Sequence, residues 1–209
     1  MKTVGITQRV EYVDSYNESR DCLDQRWSVF LLELGLIPIP LPNVEPKNVS
    51  SLLDYQSLDF IILSGGNSIS ILDKKASDIS PHRDKFEQAL LEEVIPRNIK
   101  ILGVCRGMQM VNLQLGGSLK RIERHVAVRH DIITIDSKYN FPTNVNSYHE
   151  WGIGKNDLAS KLRPLVVDDL GNIEAYIDKR KNILGIMWHP EREIPFNSLD
   201  KALIKDFFV

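Results

Sequence analysis

Ile101-Leu102-Gly103-Val104-Cys105-Arg106-Gly107-Met108-Gln109-Met110-Val111-Asn112 runs from an apolar strand, through one cysteine between two glycines, into an amphipathic helix. This arrangement predicts a nucleophile elbow. The chain turns sharply from strand to helix, and the residue at the tip is presented in strained geometry. Gly103 and Gly107 stand two before and two after Cys105, where small residues let the backbone fold back on itself. The unpaired N–H groups and the dipole at the start of the helix favour a thiolate at the tip.

Outward from the elbow, strand and helix patterns alternate. Thr3 to Ile6 reads as a short buried strand and Gln8 to Ser19 as a loop. Leu23, Trp27, Phe30, Leu31 and Leu34 recur at helical spacing within 22–34. The Ile37–Pro42 segment alternates apolar residues with proline, which donates no ladder hydrogen bond, so it suits an edge strand. A short helix follows over Val49 to Tyr55, then a buried strand over Asp59 to Leu63 that ends in Ser64-Gly65-Gly66. Residues 67–80 read as a polar loop. Ser80 and Pro81 can cap a helix running to Val94. This β-α alternation predicts an α/β fold: a mostly parallel central sheet with helices on both faces. The second half has a different texture. Val126 to Ile135, Val145 to Tyr148, Leu165 to Asp168, Ile173 to Ile177 and Ile183 to Met187 are short strands joined by turns, which suits a smaller, mostly antiparallel region. A closing helix is expected over 198–207.

The 209 residues, 43% hydrophobic and 26% charged, suit one globular domain over 1–209. A net charge of −2 gives no reason to expect a nucleic-acid or membrane surface. Cys22 and Cys105 lie far apart with no C-x-x-C spacing, which argues against a disulfide framework or a zinc site. The opening residues lack a long apolar run, and no stretch approaches a membrane span, so a cytoplasmic protein is expected.

Three constellations carry chemistry. Cys105 needs a base, and of His82, His125, His130, His149 and His189 only His189 follows a buried-looking strand with a carboxylate two positions on. Pro190 prevents helical continuation and would hold both side chains near the strand end, so Glu191 can orient the imidazole. That is the thiol form of the catalytic triad. Attack on a carbonyl also needs N–H donors for the developing oxyanion. The amide of Arg106 is one candidate, and Gly66, at the end of the neighbouring strand, is another. Gln109 lies one helical turn beyond Cys105 and can face the same pocket. Val145-Asn146-Ser147-Tyr148-His149 can offer backbone groups to the α-amino and α-carboxylate ends of an amino acid, although a structural role suits His149 first.

Together these residues resemble a class I glutamine amidotransferase domain. Gly103-Val104-Cys105-Arg106-Gly107-Met108-Gln109, Ser64-Gly65-Gly66, Asn146-Ser147-Tyr148-His149 and His189-Pro190-Glu191 match it in order and at similar separations. Within that family the chain resembles the γ-glutamyl hydrolase branch, peptidase family C26. The opening Val4-Gly5-Ile6-Thr7, the Gly35–Pro42 segment and Arg83-Asp84 also carry this likeness. The chain is similar, too, to the γ-glutamyl-CDP-amidate hydrolases of capsule phosphoramidate synthesis. Ser68-Ile69-Ser70 and Glu150-Trp151 depart from the branch's usual residues.

The resemblance implies a flavodoxin-like fold and hydrolysis of a γ-glutamyl amide through a thioester on Cys105. It implies Cys105, His189 and Glu191 as catalytic residues, with Gly66 and Arg106 as the oxyanion hole. Gln109, Asn146, Ser147, Tyr148 and His149 would bind the small γ-glutamyl substrate. No metal or cofactor is implied, and a homodimer is compatible with it. Two other readings stay open: a glutaminase subunit serving a separate synthetase, and a non-hydrolytic elbow-cysteine chaperone or redox sensor. Arg20, Arg26 and Arg106 are available for anionic groups of a leaving group, and Tyr12, Tyr16, Tyr148 and Trp151 for stacking on a base.

Overall fold

The structure is a computed structural model that describes residues 1–180 and 182–208. Its strands are β1 (Lys2–Thr7), β2 (Arg9–Val13), β3 (Glu18–Cys22), β4 (Leu36–Leu41), β5 (Phe60–Leu63), β6 (Lys100–Val104), β7 (Lys120–Arg121), β8 (Val126–Asp131), β9 (Ile133–Thr134), β10 (Asn144–Tyr148), β11 (Trp151–Gly152), β12 (Leu162–Val167), β13 (Ile173–Asp178) and β14 (Ile183–Ile186). Its α-helices are α1 (Gln25–Glu33), α2 (Val49–Gln56), α3 (Pro81–Val94), α4 (Arg106–Gln114) and α5 (Ser198–Phe208).

The central sheet has the order β4-β1-β5-β6-β14-β13-β12-β9. The first five strands are parallel, and β13, β12 and β9 extend them antiparallel. The alternation expected of a sheet buried on both sides is visible along β5. Phe60 and Ile62 pack into the layer that contains Trp27, Phe30 and Phe208, whereas Ile61 and Leu63 pack into the layer that contains Phe86, Leu90 and Met108. Thus α1 and α5 contribute to one layer, and α2, α3 and α4 to the other.

Local sequence explains the ends of the helices. The Asp24 carboxylate accepts from the Arg26 N–H and starts α1, and the Ser80 hydroxyl accepts from the Arg83 N–H and starts α3, with Pro81 in its first turn. Trp188, just beyond β14, donates its indole N–H to Asp200 at 2.9 Å, which ties α5 to the strand end that carries His189.

Three expectations are corrected. Gln8 to Ser19 is not a loop: it holds β2 and the start of β3, which pair antiparallel from Arg9–Cys22 to Val13–Glu18, with Asn17 left-handed at the turn. Polar residues on both faces hid the alternation that identifies a strand. Val126 to Ile135 is not one strand. It breaks at Ile132, β8 pairing with β10 in a separate ribbon and β9 joining β12 at the edge of the main sheet. The small antiparallel region of the second half is present as the β8–β10 and β7–β11 ribbons, but β9, β12 and β13 extend the main sheet and β14 is parallel to β6.

The elbow stands where β6 meets α4. Its backbone is fixed by the Cys105 N–H, which donates to Ile186 O on β14 at 2.8 Å. Helix α4 passes so close to β5 that a Cβ on Gly107 would collide with the carbonyl of Leu63. Gly107→Ala therefore forces backbone against backbone. We expect it to lose ~3 kcal/mol or more of stability, or to fail to accumulate as folded protein, by urea unfolding or expression. An unchanged unfolding midpoint would contradict this packing.

Candidate active site

Cys105 has φ 51° and ψ −108°. A non-glycine residue in that region is strained, and here packing on both sides imposes it. The thiol is buried at the C-terminal end of the parallel strands, where sites form in such sheets.

His189 and Glu191 follow β14, the strand next to β6. His189 Nδ1 lies 2.7 Å from Glu191 Oε1, and both side chains are buried. Gly65 packs against the imidazole, and a Cβ there would lie 2.5 Å from His189 Cε1. Asn146 clamps the histidine backbone from the other side. Its Nδ2 donates to His189 O at 2.8 Å, and its Oδ1 accepts from the His189 N–H at 2.9 Å. Burial opposes a charge on the ring, but the Glu191 carboxylate and the Cys105 thiolate, with their hydrogen bonds, outweigh it and hold the pKa up at about 9. The ring is therefore an imidazolium at neutral pH, ready to protonate a departing amine.

Gly66 is left-handed at φ +84°. Arg83, wholly buried on α3, donates to Ser64 O at 2.8 Å, Gly65 O at 3.1 Å and Gly66 O at 2.6 Å. In a trans peptide the N–H points opposite the preceding C=O. Holding the Gly65 carbonyl on Arg83 thus turns the Gly66 N–H away from it.

A cavity of about 190 Å³ opens at Cys105, bounded by Gly66–Ile69, Asp73, Asp78, Gln109 and Tyr148–Trp151. Gln109 donates to Trp151 O at 2.8 Å. The structure thus brings Cys105, Gly66, Arg106, Gln109, Tyr148 and His149 to one cavity, with His189 and Glu191 beside the thiol. Asn146 and Ser147 are placed differently from expectation. Asn146 is spent on His189, and the Ser147 hydroxyl donates to His125 O at 2.8 Å, so neither side chain lines the cavity. The stretch was expected to offer backbone groups, and these two side chains are instead turned onto neighbouring backbone.

The arginines are also redistributed. Arg106 is not available to a ligand, because its guanidinium is buried in ion pairs with Asp84 and Glu87. Arg20 pairs with Glu18 at 2.8 Å and Arg26 with Asp24 at 2.7 Å. Instead Arg9, on the unforeseen hairpin, packs over Gly66, and Arg192 stacks 4.4 Å from the Tyr148 ring centre. Arg9 and Arg192 border a second hollow with Gly65, Gly66, His189 and Glu191. Tyr12 and Tyr16 stay exposed on the hairpin, whereas Tyr148 and Trp151 converge on the cysteine.

A separate group that sequence reasoning missed lies behind the cavity. His125, His130, His149 and Glu174 face one another, their potential donor atoms all within 4.8 Å. Burial, helped by neighbouring His125, pushes His149 down to about 3. Burial, then Asp168 and Cys105, pushes the Glu174 carboxyl well up. The four residues come from distant parts of the chain, and no sequence spacing announces them.

Residues 2–191 match the peptidase C26 family. The chain belongs to that family. A γ-glutamyl-CDP-amidate hydrolase of Campylobacter jejuni is 33% identical over 98% of this chain and 96% of its own length. A γ-glutamyl-γ-aminobutyrate hydrolase of Escherichia coli O157:H7 is 28% identical over 89% of this chain and 83% of its own. Among solved structures, a glutamine amidotransferase of Thermotoga maritima superposes with a TM-score of 0.68 at 20% identity, over 98% of this chain and 83% of that one. Peptidase C26 membership makes the chain an amide-bond hydrolase. Among the described residues, no helix is long and apolar enough to cross a membrane.

The His189 pKa gives a signed expectation. A folded-state pKa raised from 6.5 to about 9 means that the ion pair's stabilisation is complete below the unfolded value and is lost as pH rises through about 9. Activity that needs the imidazolium should fall over the same range. Glu191→Gln should move that alkaline limb of the kcat/KM profile downward by one or more pH units, and should lower Tm more at pH 6 than at pH 9.5. A limb that stays near 9 in the variant would exclude this role for Glu191.

Proposed function

We propose that the chain hydrolyses a γ-glutamyl amide whose leaving group is anionic, in two steps through a γ-glutamyl thioester on Cys105. The observation that carries the reading is the strained Cys105 and the Gly66 turn on one cavity, with His189 in contact with the cysteine and paired to Glu191. In the first step the Cys105 sulfur attacks the γ-carbonyl carbon, and the carbonyl electrons move to oxygen. The N–H groups of Gly66 and Arg106 are the donors for that oxyanion, each worth ~3–4 kcal/mol of barrier. The C–N bond breaks as His189 delivers its proton to nitrogen. In the second step water gives a proton back to His189 and attacks the thioester, releasing glutamate and restoring the thiolate.

Charge divides the two sides of the scissile bond. The cavity beside Gln109 has Asp73, Asp78 and Glu150 among its lining residues and suits the α-ammonium end of a glutamyl group. The hollow on the other side of Gly66 holds Arg9 and Arg192 beside His189, with Asp24 and Glu191 also in its lining; phosphate oxygens would have to draw Arg9 from Glu11, 3.1 Å away, and Arg192 from Glu191, 3.7 Å away. Tyr148, between Arg192 and His189, offers a stacking face. A phosphoramidate of a nucleoside diphosphate fits this division, and the Campylobacter relative's name agrees with it. The chain's specific leaving group then becomes cytidine diphosphoramidate, for capsule synthesis.

Glutamate release from glutamine, γ-glutamyl-γ-aminobutyrate and γ-glutamyl-CDP-amidate, compared by kcat/KM, tests the reading. The last should be the best substrate. Cys105→Ala should release no glutamate from any of them, and acid-quenched wild-type enzyme should carry a γ-glutamyl adduct on Cys105. Arg9→Ala should lose ~10-fold or more on the diphosphate substrate and far less on glutamine. Equal turnover of all three amides would remove the anionic leaving group, and turnover by Cys105→Ala would remove the thioester.

A further inference from the structure

Glu174 lies on β13 and is 1% exposed, yet neither of its carboxylate oxygens has a hydrogen-bond partner among the described residues. A bare carboxylate in the interior is costly, so something must compensate it. Three imidazoles face it. His130 Nε2 lies 3.7 Å from Oε2, His149 Nε2 lies 3.9 Å from Oε1, and His125 Nδ1 lies 4.0 Å from Oε1.

Each ring has its other nitrogen on a fixed acceptor. His125 Nε2 lies 3.2 Å from Asp168 Oδ2, His130 Nδ1 lies 3.1 Å from Asp131 O, and His149 Nδ1 lies 3.1 Å from Trp151 O. A neutral ring that donates to its outer acceptor must turn a lone pair, not an N–H, toward Glu174. The inner nitrogens of His130 and His149 accordingly have no partner, and the one hydroxyl near His125 Nδ1, that of Ser147, already donates its proton to His125 O. Three lone pairs and a carboxylate aimed at one another repel unless a cation stands between them.

We propose that His125, His130, His149 and Glu174 bind a divalent cation of the zinc class. Three imidazole nitrogens and one carboxylate oxygen form a closed four-coordinate set of that type. Bonds of ~2.0–2.1 Å in a tetrahedron place ligands ~3.3–3.4 Å apart, so the Glu174–imidazole distances of 3.7 to 4.0 Å and the wider donor spacings of up to 4.8 Å must close by side-chain rotation when the ion enters. The acceptors on the outer nitrogens are the oriented outer contacts that metal-bound histidines use, Asp168 supplying the carboxylate–histidine–metal arrangement. With four protein ligands the ion has no open position, so its role is to hold structure. It ties the segment before β8, β8 itself, the residue after β10 and the start of β13 together, and through His149 it fixes the Tyr148–Trp151 wall of the cavity. The cysteine spacing that argued against a zinc site was therefore silent about this one. The site is independent of which amide the enzyme hydrolyses.

The test is metal analysis of the purified full-length wild-type chain, followed by chelator treatment and addition of ZnCl2 alone. We expect about one equivalent of zinc, a fall in Tm on its removal and recovery on its return. Cobalt(II) should give the visible spectrum of a four-coordinate nitrogen/oxygen site without a thiolate charge-transfer band. Glu174→Gln and His130→Ala should each weaken zinc binding at least ~10–100-fold, while Cys105→Ala leaves it unchanged. Wild-type protein that neither binds added zinc nor responds to it in Tm overturns the proposal, and the cluster is then a protonated Glu174 among neutral rings. Zinc retained in both ligand variants, or lost in Cys105→Ala, overturns it as well by moving the ion elsewhere.

Discussion

The active-site end of the sheet depends on four buried charges. Arg83, Asp84 and Glu87 of α3 meet Arg106 of α4, two cations against two anions, all essentially out of water. Burial opposes each charge. For Glu87, however, the attraction of Arg106 and Arg83 prevails and its pKa falls, and Arg83, pushed down to about 10, is still charged at neutral pH. Such a cluster is a weak source of net stability, since desolvation consumes most of the attraction. Its value is geometric. Glu87 accepts from Thr7 at the end of β1, Arg83 holds the carbonyls of Ser64, Gly65 and Gly66, and Arg106 fixes the first residue of α4. Three strand ends and two helices are therefore placed by one set of directional bonds, and deleting any member would leave an unpaired charge in the interior.

That set explains how the elbow can hold its strain. Cys105 is gripped behind by its N–H bond to β14, and ahead by Arg106, whose side chain is pinned to α3. Gly107 then lets α4 lie against Leu63 at a distance no side chain would allow. The residue between these anchors has no freedom to relax toward an ordinary conformation. Its neighbour in the relay is fixed by different means: Pro190 and the Asn146 clamp set the backbone of His189, and Glu191 sets the ring. Nucleophile and proton carrier thus come from adjacent strands, with separately secured backbones.

Much of this was legible in the sequence because it is local. Gly103-x-Cys105-x-Gly107 and His189-Pro190-Glu191 carry their geometry within a few residues, and the long apolar strands announce a sheet covered on both faces. What was not legible depends on partners distant in the chain. Arg106 looked like a free cation because Asp84 and Glu87 are invisible from the elbow. Arg9 lay in a stretch whose alternation is blurred, since β2 and β3 expose both faces to polar surroundings. The break at Ile132 follows from a tertiary choice: its side chain enters the core while β8 and β9 leave for different sheets. His125, His130 and Glu174 have no meaning until β8 folds over β13.

Two histidine environments near Cys105 are of opposite kind. On one side Glu191 keeps His189 charged, and a cation beside sulfur favours the anion. On the other side Glu174 lies close enough for the Cys105 charge to oppose its ionisation. An uncompensated carboxylate in that low-dielectric interior is costly. His149 does not relieve this, since burial keeps its ring neutral. Glu174 therefore has to be neutralised, by a bound cation or by its own proton. A cation does this while leaving the cavity wall ordered, whereas a proton would have to be held by a group that has no acceptor within bonding distance.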